Sequence, residues 1–259
     1  MSHLHEANQN STWLHRAILH LYATVPIFSL RVFKWGGELS LRPLIGRPIR
    51  RLTDWFARSV ESGQVITFAE VEHIVREAKS CSIGECPCMR IFPDECGHGS
   101  EKCVRINAAH DVFTTRNADA HHGIDKQELL ERLRELSSKW GLHHSKIFLA
   151  GEQVYAICSC CHNCIAYAMR MRYGQPNALK KGCYIARVDA DRCTGCGACS
   201  SVCRFQAMDA GRVNEPDCFG CGLCALKCKS GAITMVLRDG DAAEVVEQQA
   251  REAAAAVGS

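Results

Sequence analysis

"CTGCGACSSVC" (residues 193–203) and "CFGCGLCALKC" (residues 218–228) are two copies of one pattern. Each is spaced C-x2-C-x2-C-x3-C, with Cys193, Cys196, Cys199 and Cys203 in the first run and Cys218, Cys221, Cys224 and Cys228 in the second. All four positions repeat at an offset of 25 residues. So do Gly195 with Gly220, Gly197 with Gly222, and Ala207 with Ala232, which marks an internal duplication.

The spacing has a chemical reason. A cubane [4Fe–4S] cluster takes a thiolate at each iron; three come from one tight loop and the fourth from elsewhere. Glycines let such a loop wrap closely and turn its backbone N–H groups toward sulfur. Two four-cysteine zinc sites would leave both the triplet and the duplication without a reason.

The segment resembles the two-cluster bacterial ferredoxins, in which the fourth cysteine of each run serves the other cluster. That resemblance implies one cluster on Cys193, Cys196, Cys199 and Cys228, and a second on Cys218, Cys221, Cys224 and Cys203. It also implies a small βαββαβ unit that passes single electrons. One departure stands out: proline usually follows each fourth cysteine in that family, whereas Arg204 and Lys229 stand here. A cation beside a cluster favours the more negative reduced state, which predicts raised potentials; the alternative is a pair of exposed surface charges.

Ten cysteines remain: Cys81, Cys86, Cys88, Cys96, Cys103, Cys158, Cys160, Cys161, Cys164 and Cys183. The stretches "CPCMR" (86–90), "GLHH" (141–144) and "CSCCHNC" (158–164) resemble the N-terminal domain of a loosely described set of iron–sulfur proteins from anaerobic microbes, in which similar motifs precede a dicluster ferredoxin. That likeness covers residues 68–236. Vicinal Cys160 and Cys161 project in different directions, which suits two irons or two sites better than one tetrahedral ion. Cys86, Cys88, Cys96, Cys103, Cys158, Cys160, Cys161 and Cys164 are therefore candidates for one or two further clusters, with Cys81 and Cys183 as substitutes. Structural zinc, aided by His98 or His162, is the competing reading. His121, His122, His143 and His144 read as surface or capping residues.

Around these motifs the chain is ordinary. Its 259 residues are 47% hydrophobic and 23% charged, with a net charge of +3, so bulk charge makes no case for nucleic acid. Eighteen cysteines without a secretory pattern in residues 1–16 point to a reduced, cytoplasmic compartment and to metal rather than disulfides. No G-x-G-x-x-G after a strand, Walker loop or nucleophile elbow is present, so a nucleotide cofactor is not expected.

The expected architecture is α+β. Residues 1–62 hold an apolar helix and a basic linker, 63–183 a mainly helical cysteine-rich domain, 184–240 the ferredoxin-like unit, and 241–259 a helical tail. Thr67 with Glu70, and Asp125 with Glu128, are capping boxes that open helices; Ser100 is read as the cap of another over 101–113. Leu129, Leu130, Leu133 and Leu136 form a buried stripe closed by Gly141. "KIFLAGEQVYAIC" reads as two strands around Gly151 and Glu152. Arg31 to Arg58 carries seven basic residues against two acidic, locally +5, after an apolar stretch at 17–30. Residues 17–58 thus form either a peripheral contact with an anionic membrane or a core helix followed by a solvated loop. The predicted function is electron transfer between redox partner proteins, within a multi-subunit oxidoreductase of anaerobic metabolism and without catalysis of its own. The alternatives are a zinc-braced docking subunit, or an enzyme with an incompletely ligated N-terminal cluster.

Overall fold

The structure, a computed structural model, describes residues 13–92, 98–149 and 153–238. Cys96, the Gly151–Glu152 turn and the expected tail at 241–259 lie outside the described residues.

Among the described residues three helices come first: α1 (Trp13–Thr24), α2 (Pro26–Leu39) and α3 (Gly46–Ser59). The Pro43–Pro48 stretch, expected as a linker, is a short turn that runs at Gly46 straight into α3. Pro48 stands in the first turn of that helix, where a missing N–H costs nothing. Among the described residues no single helix is long and apolar enough to cross a membrane. Arg16–Thr24 and Pro26–Leu39 reach that length only together, and they bend by 94°.

The middle of the chain is not mainly helical as expected. It is built on a seven-stranded sheet of β1 (Glu61–Ile66), β2 (Cys81–Glu85), β3 (Glu101–Ile106), β4 (His121–Gly123), β5 (His143–Leu149), β6 (Gln153–Cys160) and β7 (Leu179–Lys180). Their order is β4-β2-β3-β6-β5-β1-β7, antiparallel except at β1 and β7. The expected helix at 101–113 is in fact β3 followed by α5 (Ala108–Arg116). Asn107, at φ 55°, breaks the chain between them, and Cys103 sits in a strand instead of a helix turn.

α4 (Phe68–Glu77) and α6 (Lys126–Trp140) cover one sheet face. Thr67 Oγ1 accepts from the Glu70 N–H while Glu70 accepts from the Thr67 N–H, the reciprocal box the sequence predicts. Val71, Ile74, Val75 and the leucine stripe of α6 pack there on Val104, Ile106 and Ile157. Gly141 closes α6 at φ 61°. The other face lies under α1, α2, α3, α5 and α7 (Ile165–Met171).

The last segment has the expected βαββαβ order. It comprises β8 (Tyr184–Val188), α8 (Ala198–Val202), β9 (Met208–Asp209), β10 (Arg212–Val213), α9 (Leu223–Lys227) and β11 (Ile233–Leu237). β8 pairs antiparallel with β11 and β9 with β10.

Three histidines expected at the surface or as caps, His121, His143 and His144, are buried. His144 bonds Ser137 Oγ at 2.6 Å and Ser159 Oγ at 3.1 Å, and burial pushes its pKa down to about 3. Burial likewise lowers His121 to about 4. A depressed folded-state pKa means that below an ordinary histidine value of about 6.5 the unfolded chain binds protons the folded chain refuses, so stability falls with pH down to that lowered value. Denaturant unfolding at pH 7 and pH 5 should show a loss of about 2 kcal/mol attributable to His144, and that part should vanish in His144→Gln.

Candidate metal centres

The two C-terminal cysteine runs wrap two separate cavities. Cys193, Cys196, Cys199 and Cys228 line one of about 20 Å³. Cys203, Cys218, Cys221 and Cys224 line another of about 20 Å³. In each cavity three sulfurs come from one loop and the fourth from the other run. The loops turn through glycine: a Cβ on Gly220 (φ 77°) would stand 2.1 Å from the Tyr184 carbonyl oxygen. Backbone N–H groups point at the fourth sulfurs, Ala207 N to Cys203 Sγ at 3.2 Å and Ala232 N to Cys228 Sγ at 3.3 Å. This donor-rich, all-thiol cradle fits an anionic cluster.

Residues 186–209 match the family model of a 4Fe-4S binding domain. The chain therefore carries an iron–sulfur domain of ferredoxin type, whose role in general terms is electron transfer. The match includes the first cysteine run, and the second repeats it. Among curated proteins none matches the chain.

The two cavities differ in their surroundings. Cys196 is exposed, and a backbone hydrogen bond from Ala198 lowers its thiol. Burial pushes Cys221 well up and Cys224 up to about 12.

The remaining candidates divide. Cys86, Cys88, Cys103, Cys158, Cys160 and Cys164 all line a third cavity of about 140 Å³ between the sheet and the helices α2 and α3. Strand alternation explains it, since Cys103 and Cys158 are cross-strand partners of β3 and β6 and Cys160 follows two residues on. Cys86 and Cys88 enter from the turn at Pro87–Arg90, and Cys164 caps α7. The sulfurs touch as a chain, Cys86 to Cys88, Cys88 to Cys164, and Cys164 to Cys160 at 2.8 Å. Hydrogen bonds from Cys160 and Cys88 hold the Cys164 thiol well below its usual range, while Cys160 is raised by its bonds with Cys158 and Cys164 and Cys88 by its bonds with Cys164 and Cys86.

Cys161 also borders the cavity, while packing in the core under α4 and α6 on the other side. Cys81 lies in that core as well, and Cys183 sits beside Gln64 Nε2 at 3.9 Å; neither lines the cavity.

Sequence reasoning missed the polar companions of the third cavity. Arg105 is buried in its wall with Nε unpartnered, its guanidinium over the rings of Phe113 and Tyr155. Buried Ser145 Oγ and both ring nitrogens of His143 also lack partners. Ser145 lies across the strands from Cys158, and His143 from Cys160. Orphaned buried polar atoms beside clustered thiols fit a charged group held among them. Among the described residues no three His, Cys, Asp or Glu side chains converge on a single ion, and His98 is engaged with Lys102 Nζ at 3.1 Å.

Arg204 is not an exposed charge. Its Nε donates to Gly141 O and its Nη2 to Trp140 O, both at 3.1 Å, so it fastens the βαββαβ unit to the end of α6. Lys229 is exposed. Arg204→Pro should therefore loosen the seam, costing about 1–3 kcal/mol as the two carbonyls lose their donor. Lys229→Pro should leave the denaturation midpoint nearly unchanged, and parallel unfolding curves check both.

Proposed function

We propose that the chain is a one-electron carrier with three iron–sulfur centres arranged as one internal path. Cys193, Cys196, Cys199 and Cys228 would hold the first [4Fe–4S] cluster, and Cys218, Cys221, Cys224 and Cys203 the second. Cys86, Cys88, Cys160 and Cys164 would hold the third, with Cys103 and Cys158 beneath it. Such clusters supply reversible one-electron exchange over a potential range set by charge, hydrogen bonds and solvent access.

The observation that carries this reading is a shared core. Cys88, Cys160 and Cys164 pack in one apolar cluster with Phe205 and Phe219, and Cys203 and Cys221 border the same cluster. Phe205 stacks on Phe219 at 4.1 Å, and His143 meets Phe205 edge-on at 4.9 Å. Tyr167 donates to Arg204 O at 2.7 Å and closes the seam beside them. These side chains exclude water and fix the spacing between the second and third sites. The exposed surroundings of Cys196 make the first site the port to redox partner proteins, in keeping with a cytoplasmic carrier or a subunit of an anaerobic oxidoreductase.

One observation favours a second reading, in which the third centre also binds a small molecule at an iron without a thiolate. Its cavity is about 140 Å³, against about 20 Å³ for each of the other two.

Iron, sulfide and zinc analysis of anaerobically purified protein, with EPR of the reduced form, tests the proposal. Twelve irons and no zinc are expected, since each cubane contributes about four. Cys164→Ala should lose about four irons and one EPR signal while the ferredoxin pair persists. Eight irons plus zinc in the unaltered protein would refute the third cluster, and a cyanide-sensitive signal lost in Cys164→Ala would favour the small-molecule reading.

A further inference from the structure

The outer surface of α1–α3 has a composition that a water-facing surface avoids. Thirteen large hydrophobic side chains are exposed among the described residues, and ten of them fall between Trp13 and Trp55. Phe28, Val32 and Trp35 stand at i, i+4 and i+7 on α2, and Pro48, Leu52 and Trp55 repeat that spacing on α3. The intervening turn adds Leu44, 95% exposed. These residues are not the helices' core-facing sides. Phe33 meets Phe56 at 4.8 Å between the two helices, and Gly37 is pressed against the Tyr173 ring. α2 and α3 therefore have an apolar side turned inward and a second one turned out. A helix buried on one face ordinarily presents polar residues on the other.

Charge says what covers the outer face. Residues 13–60 carry eight Arg and Lys against Glu38 and Asp54, locally +6 in a chain whose net charge is +3, so the remainder is net negative. The two acids are already paired, Glu38 with Lys34 at 3.2 Å and Asp54 with Arg58 at 2.6 Å. Arg47 and Arg51 flank Leu52 and Trp55 in an exposed row. Three of the four tryptophans, Trp13, Trp35 and Trp55, lie on this surface at 80%, 62% and 58% exposure. Aromatic side chains among arginines match the headgroup boundary of a bilayer, where the ring is half immersed and the cation meets lipid phosphate. The 94° bend between α1 and α2 rules out a straight span and lets both helices lie along a surface.

We propose that α1–α3 form a docking platform for the surface of an anionic lipid bilayer, with Trp35, Leu44 and Trp55 entering the headgroup boundary and Arg47 and Arg51 meeting the phosphates. The platform is independent of the number of clusters. It holds the carrier at a membrane from one side, without a spanning segment in the described residues.

Co-sedimentation of the full chain with phosphatidylglycerol–phosphatidylcholine vesicles, against phosphatidylcholine alone, tests it. The protein should pellet with the anionic vesicles, less so as salt screens the arginines. Brominated acyl chains should quench its tryptophan fluorescence, and Trp140→Phe should leave that quenching in place. Arg47→Gln with Arg51→Gln should lower partitioning about twenty-five-fold, at roughly fivefold per arginine. Trp35→Ser, Leu44→Ser and Trp55→Ser together should abolish it at every salt concentration. Leu44→Ser alone, at a side chain too exposed to support the core, should weaken binding even if the triple variant fails to fold. Three results would overturn the proposal. The first is a full chain that stays in the supernatant with anionic vesicles, or pellets equally after Leu44→Ser. The second is binding that appears only after removal of residues 239–259, whose five acidic residues against one basic would then be the platform's occupant. The third is a dimer dispersed by Leu44→Ser in a protein indifferent to lipid, which would make the face a contact between two copies.

Discussion

Burying several thiols together is the constraint on which the rest of the structure depends. Cys86, Cys88, Cys160 and Cys164 touch in sequence inside an apolar interior, where a lone thiolate is costly and several are prohibitive without compensation. The sheet supplies that compensation. β3 brings the buried guanidinium of Arg105 to the cavity wall, and β5 brings His143 and Ser145 with polar atoms that no protein group satisfies. α2 and α3 then roof the chamber with Leu30, Phe33 and Phe56. A metal–sulfide group in this chamber would lie beside the Arg105 guanidinium and share the sulfurs' charge.

The same constraint explains how the two halves of the chain join. A thiol-rich chamber open to water would gain little from its cations, and the βαββαβ unit seals one side. Phe205 and Phe219 fill the seam, and Arg204 and Lys227 donate to carbonyls at the end of α6. Arg204 occupies the place where related ferredoxin segments carry proline. Proline would end the loop but could not reach Trp140 and Gly141. The departure from the family pattern is thus part of the docking of one unit on the other.

What could be read from the sequence followed how local the physics was. The Thr67–Glu70 box, the Gly141 terminus and the leucine stripe of α6 depend on short-range spacing, and the structure has them all. Apart from β5 and β6, which the sequence shows as two strands, the sheet was hidden because its strands take their partners from far along the chain. "EKCVRI" follows a serine that resembles a helix cap, and only its alternation of buried Val104 and Ile106 against Cys103 and Arg105 betrays a strand. Proline near Gly46 suggested a linker, although proline is equally at home in a first helical turn. For His143 and His144 no short-range signal distinguishes a buried ring from a surface one. Arg105 was invisible as a site residue because its role rests on a cross-sheet position and not on a motif.

Anomalous X-ray scattering from crystals of anaerobically prepared protein, recorded at the iron and zinc absorption edges, tests the central claim most directly. The account predicts three iron peaks, one of them enclosed by Cys86, Cys88, Cys160 and Cys164 against the Phe205 side of the seam, and none at the zinc edge. Two iron peaks confined to the C-terminal loops, with the N-terminal chamber empty or holding zinc, would contradict it.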